Sequence, residues 1–205
     1  MRKFLQIMLV AGSLAMFAGC AAQKPLRFYS LEKPPSASAT ADSSGASPIG
    51  LVVGHLSSPR LLRDDRIVYG MSDVEMGVYH RHRWAEPPPE MIETMLIEQL
   101  RATGQYKSVQ RLGSSARGEY IVRGRLIALN EIDSPSGIIA RFAMELDLFQ
   151  LKSGMIVWTQ TYQHDEPVAK KTVNDVVEAL QRNVQAGLGQ LTTSMGQYIA
   201  SQPAK

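Results

Sequence analysis

The clearest pattern in the chain begins at Ile138, where Ile138, Ala140, Phe142, Met144, Leu146 and Leu148 alternate with Arg141, Glu145 and Asp147. A period of two puts the apolar set on one side of a strand and the charges on the other. Lys152-Ser153-Gly154 turns this strand back into residues 155–164, where Ile156, Trp158 and Tyr162 repeat the period. Residues 120–132 read as the strand before it, joined through Ser134-Pro135-Ser136-Gly137. Three successive strands with short connections predict an antiparallel meander. Four earlier strands are expected at 49–56, 66–70, 74–83 and 106–112. In the third of these, Val74, Met76 and Val78 share one side.

Two segments change to helical spacing. After Pro87-Pro88-Pro89, which suits a first helical turn, Ile92, Met95, Leu96 and Leu100 fall on one stripe, and Gly104 is a natural stop. Thr172 with Asp175 forms a Thr-x-x-Asp cap. Val173, Val176, Val177, Leu180, Val184, Leu188, Leu191, Met195 and Ile199 then trace one face. Gly187 and Gly189 interrupt it, each costing about 1 kcal/mol of helix propensity against Ala. They mark a bend or a close helix contact. The expected fold class is α+β, a mostly antiparallel sheet with two amphipathic helices packed on it. The long stripe either covers the sheet or lines, in part, a lipid groove. Burial of each Val or Leu contributes roughly 1.5–3 kcal/mol, which alone accounts for the pattern.

The N-terminus follows a different logic. Arg2 and Lys3 precede an apolar run, 4–17, that ends in Ala18-Gly19-Cys20. About 14 residues of helix rise only ~21 Å, short of a ~30 Å hydrocarbon core. The layout is that of a secretory signal, expected to be removed at 1–19. The 22 basic residues less Arg2 and Lys3 leave 20 against 19 acidic ones, so charge gives no reason to expect nucleic acid as a partner. Cys20 is the single cysteine of 205 residues, which leaves no internal disulfide to form. Residues 32–48 contain five Ser, four Ala and three Pro without apolar periodicity. Segment 20–48 is therefore expected to be a flexible tether, with 49–202 the folded domain. The 17-residue Ser/Ala/Pro stretch spans about 23 Å as a coil and at most ~58 Å extended.

Phe17-Ala18-Gly19-Cys20 resembles a bacterial lipobox, with Phe17 where Leu is usual. The resemblance implies diacylation of Cys20 and a membrane anchor made of more than one chain, as stable attachment requires. Ala21 in place of Asp implies sorting to the outer membrane, on its periplasmic face.

Further blocks resemble the ABC-type transport auxiliary lipoproteins, the PqiC-like partners of MCE-type transporters. They are Phe28-Tyr29-Ser30-Leu31, Pro59-Arg60-Leu61-Leu62, Ile67-Val68-Tyr69, Arg83-Trp84-Ala85-Glu86-Pro87, residues 154–158 and the long last helix. Arg63-Asp64-Asp65-Arg66 stands where the family has an Asp-Arg-Pro run. The resemblance implies a non-enzymatic component that works with a permease, an ATPase and an MCE-domain protein moving lipid between membranes. It also implies a homo-oligomer. The same anchor and domain would serve a structural lipoprotein of another envelope assembly or secretion complex.

Candidate chemistry is sparse. Arg83, Trp84 and Glu86 read either as a partner contact, since Trp and Arg dominate interfaces, or as a Trp packed under the first helix with Glu86 at its positive end. His80 and His82 supply two ligands at i, i+2, short of the three or four protein ligands of a zinc site, so no metal and no cofactor are expected. Arg63-Asp64-Asp65-Arg66 reads as a solvated turn whose ion pairs contribute about 0–1 kcal/mol. There is no Gly-x-Ser-x-Gly elbow, no phosphate-cradling loop and no nucleophile with an evident base.

Overall fold

A computed structural model describes residues 25–32, 47–71, 74–113 and 115–202. Among these, eight strands form one mixed sheet: β1 (Arg27–Tyr29), β2 (Ser47–Val53), β3 (Arg66–Gly70), β4 (Met76–Trp84), β5 (Tyr106–Arg111), β6 (Tyr120–Ser134), β7 (Gly137–Gln150) and β8 (Met155–Pro167). Two helices, α1 (Pro88–Ala102) and α2 (Val173–Ser201), accompany it, and a 3-10 turn spans Arg60–Leu62. The α+β class stands. Signal residues 1–19, Cys20 and the Ser/Ala/Pro stretch at 33–46 lie outside the described residues.

The meander β6–β7–β8 is antiparallel throughout, as its alternation predicts. Ala140, Phe142, Met144, Leu146 and Leu148 are at most 0% exposed, so the apolar side of β7 is the centre of the core. Around this slab the sheet is mixed. β3 pairs β4 antiparallel, whereas β3 and β2 run parallel to opposite ends of β6, and β5 extends β2 in parallel. The order is β1-β4-β3-β6-β2-β5, with β7 and β8 continuing from the other side of β6.

α2 packs along β7 and β8, and α1 packs against α2 and β5. α1 starts at Pro87 with Pro88 and Pro89 in its first positions, where their missing N–H groups have no helical partner to lose. It stops at Thr103, and Gly104 takes φ 64°, the left-handed conformation that favours glycine at a helix end. The Thr172 hydroxyl accepts the Asp175 N–H at 3.2 Å, the expected cap of α2. Gly187 resolves as a close contact: a Cβ there would stand 2.7 Å from the rings of Phe142 and Tyr162.

Three expectations need correction. The tether was expected to run unbroken from 20 to 48, but residues 27–29 form the edge strand β1, paired with β4. The Ser/Ala/Pro stretch therefore joins two strands of one sheet. Of Val74, Met76 and Val78, only Val78 packs against the core: Val74 is 94% and Met76 49% exposed, because they lie toward the tip of the β3–β4 hairpin. In β8 a register shift places an extra residue between Trp158 and Ile156, which breaks the period and leaves Ile156 exposed at the start of an edge strand.

Candidate functional site

The family-like blocks, scattered in sequence, meet at one edge of the sheet. β1 lies parallel to β4 with Arg27 opposite His82, Phe28 opposite Arg83 and Tyr29 opposite Trp84. The Ala85 N–H donates to the Tyr29 carbonyl at 2.6 Å. Leu31 is buried, and Glu32 exchanges two hydrogen bonds with Gln181 of α2, at 3.1 and 3.2 Å. The entering chain is thus clamped to both the sheet and the last helix.

Tyr29 is the hinge pin of this clamp. Its hydroxyl donates to Asn174 Oδ1 at 2.9 Å and stands 2.9 Å from His82 Nδ1. A phenol has one proton, so with that proton given to Asn174 the Tyr29 oxygen accepts from an Nδ1–H of His82. Burial, and secondarily the charge of Arg27, push the His82 pKa below its ordinary value. His82 also stacks edge-on against Tyr79, whose ring meets that of Tyr69. Tyr69 has room because its cross-strand partner is Gly77, where a Cβ would lie 2.5 Å from the phenol ring.

Tyr79 in turn donates to Glu131 Oε2 at 2.7 Å. Glu131 is 5% exposed, and burial raises its pKa while the Tyr79 hydrogen bond opposes that shift. Burial and the same carboxylate push the Tyr79 phenol well above its ordinary range. The result is a continuous polar-aromatic chain, Asn174–Tyr29–His82–Tyr79–Glu131, from the start of α2 across β1 and β4 to β6. It can hold the edge rigidly and respond to protonation.

Arg83, Trp84 and Glu86 do not form one surface. Trp84 is 1% exposed and belongs to the core, the packing role weighed for it in the sequence. Its burial corrects the alternative in which it is an exposed anchor. Arg83 donates to Asp65 at 2.6 Å, and the Trp84 N–H donates to the Asp65 carbonyl at 2.6 Å. Asp65 accordingly has a depressed pKa, chiefly through the Arg83 hydrogen bond. The turn 63–66 is therefore more than a solvated loop, although Asp64 and Arg66 form the exposed pair expected there, at 3.0 Å. Glu86 is exposed, just before Pro87.

Sequence reasoning missed a second polar feature. Glu93 on α1 is 2% exposed; its Oε2 accepts the Leu56 N–H at 3.3 Å and lies 3.2 Å from His55, and its Oε1 is 3.0 Å from Arg111. It closes the floor of a shallow 380 Å³ cleft between α1 and the β2–β3 connection. The missed groups carried a weak signal: Glu131 is a carboxylate inside an apolar strand, and Glu93 follows directly on the apolar stripe at Ile92. Among the described residues no group of three or more potential metal ligands occurs, and no helix is long and apolar enough to cross a membrane.

Comparison with known proteins gives a family and a shared fold. A family model described as the ABC-type transport auxiliary lipoprotein component matches residues 29–192, from Tyr29 of the clamp to Thr192 of α2. A Xanthomonas campestris protein of family DUF330 has the same fold, with TM-score 0.72 at 18% identity over 86% of this chain and all of that one. A second solved protein superposes with TM-score 0.63 at 15% identity, covering 86% of this chain and 99% of its own. A hypothetical protein from Chlamydia trachomatis gives 0.53 at 5% identity, covering 76% of this chain and all of its own. No curated protein matches the chain significantly.

Proposed function

The chain belongs to the ABC-type transport auxiliary lipoprotein family, and from that membership we propose that it is a lipid-anchored, non-enzymatic component of an MCE-type system moving lipids between the inner and outer membranes. The observation that carries the reading is the family match across residues 29–192, which begins at the residue that pins the entering chain to the fold. In this reading Cys20 carries the acyl chains, and the domain sits on the periplasmic face of the outer membrane. Its partners are an MCE-domain protein with its permease and ATPase, and a second copy of this chain.

Of the residues proposed for partner contact, Glu86 is exposed and the Arg83 side chain is 25% exposed, while Trp84 is buried in the core. Two experiments test the proposal separately. Mass spectrometry of the processed protein should find acyl chains on Cys20, and Cys20→Ser should release the protein from membranes; an unmodified thiol or unchanged membrane association overturns the anchor. Pull-down of the membrane-extracted protein in gentle detergent should recover an MCE-domain protein. Repeated recovery of secretion or assembly components instead would replace the transport reading with that of a structural envelope lipoprotein.

A further inference from the structure

We propose that the β1 edge is the membrane-contacting surface of the domain: Leu26 and Phe28 enter the headgroup region of the bilayer while Arg27 and Arg81 hold a phospholipid phosphate. The inference rests on the acylation of Cys20 proposed above and adds where the domain sits.

The leash length is the first argument. The described chain starts at Pro25, five residues after Cys20, and five residues reach at most about 17 Å when fully extended. With the acyl chains in the bilayer, Pro25 must lie within that distance of the surface. The clamp is the second. Tyr29, Leu31 and Glu32 are fixed to β4 and α2, so the chain cannot peel away to let another face approach. Had the Ser/Ala/Pro stretch lain between anchor and domain, no such orientation would follow. Because it joins β1 to β2 instead, the orientation is set.

The chemistry of the edge is the third. Leu26, just before β1, is 53% exposed and Phe28, within it, 62% exposed, so both lie open on this edge. An exposed aromatic and an aliphatic residue beside an anchor match the interfacial region of a bilayer, where such side chains settle. Arg27 and Arg81 are both exposed and line a 330 Å³ cleft with Pro25 and His82. Two guanidiniums on one small cleft suit a phosphate, which they can bind with paired hydrogen bonds.

Because the native cysteine is acylated in this reading, an introduced cysteine is the sole free thiol of the full-length lipoprotein. Phe28→Cys and Met155→Cys are each labelled with a nitroxide and reconstituted in vesicles of phosphatidylethanolamine and phosphatidylglycerol. Met155 is exposed and lies at the far end of the long meander. The label at 28 should collide with oxygen severalfold more than with a water-soluble nickel chelate, and the label at 155 should show the reverse. Adding Arg27→Gln and Arg81→Gln should reduce the oxygen preference at 28 severalfold. A label at 28 as aqueous as that at 155, on protein that still floats with the vesicles, overturns the inference and leaves the anchor intact. A label shielded from both reagents indicates a protein partner on this edge and also overturns it, as does an oxygen preference indifferent to the two arginines. Protein that fails to float removes the anchor itself.

Discussion

Arg83 and Asp65 meet at 2.6 Å and tie the turn before β3 to the end of β4. The pair depresses the Asp65 pKa, mainly through the Arg83 hydrogen bond. The sign follows: a depressed carboxylate stabilises the fold above its ordinary value of 3.8, and the contribution fades as pH falls through the lower, folded value. Arg83→Met should therefore cost about 1 kcal/mol at neutral pH, an amount typical of a half-exposed pair. The difference from the parent should shrink in strong acid. Urea midpoints of both proteins at neutral pH and well below the ordinary Asp value of 3.8 check this.

His82 should behave as an acid-sensitive latch. Its pKa lies below the ordinary 6.5, so the folded state prefers the neutral ring. That preference stabilises the fold above pH 6.5 and is lost as pH falls toward the folded value. The Tyr29 oxygen can accept from Nδ1–H in either state, so the cost of protonation is chiefly that of charging a partly buried ring beside Arg27. The expected readout is an NMR titration of His82 with a midpoint under 6.5, accompanied by lower amide protection factors in residues 27–31. Tyr29→Phe should speed exchange in the same residues at neutral pH, by removing a bridge worth roughly 1 kcal/mol.

The meander was legible because the apolar residues Ala140, Phe142, Met144, Leu146 and Leu148 of β7 recur at every second position and its turns carry glycine where φ is positive, at Gly137 and Gly154. α2 was legible from its cap and stripe. β1 was not, since a three-residue strand has too few positions to show a period and its pairing is decided by partners in β4 that lie 55 residues away. The parallel pairings of β2 and β3 with β6 escaped for the same reason: short strands identify themselves but not their neighbours. The polar chain from Tyr29 to Glu131 is assembled wholly by those long-range pairings. Its members are ordinary in sequence and become a site only when β1, β4 and β6 are brought side by side.

Glu131 carries a charge that the fold disfavours. Burial raises its pKa above the ordinary 4.5, and Asp133 adds to the shift, while the Tyr79 hydrogen bond and Lys171 oppose it. A raised carboxylate favours folding at low pH and costs stability as pH rises through its folded value. Glu131→Gln keeps an oxygen to accept from the Tyr79 hydroxyl and abolishes the charge. The variant should gain stability over the parent as pH increases from about 4 to 8, a window spanning the ordinary Glu value. A difference that stays flat across this window would show that Glu131 is already solvated.

The two glycines in the middle of α2 should respond oppositely to the same change. Alanine is the better helix former, by about 1 kcal/mol at each position. At Gly189 a Cβ would meet only Gln99 Nε2 at 3.5 Å, an ordinary contact, so Gly189→Ala should raise stability by ~0.5–1 kcal/mol. At Gly187 the same Cβ would lie 2.7 Å from both Phe142 and Tyr162, which are themselves held in the core and, for Tyr162, by a 3.0 Å hydrogen bond to Asn183. The Phe142 ring is fully buried, and the Tyr162 ring would have to give up its place beside it. Overpacking of this kind costs about 1–3 kcal/mol and outweighs the helix gain, so Gly187→Ala should lower the urea midpoint while Gly189→Ala raises it. If both substitutions stabilise, α2 rides further from the sheet than the Phe142–Gly187 contact requires.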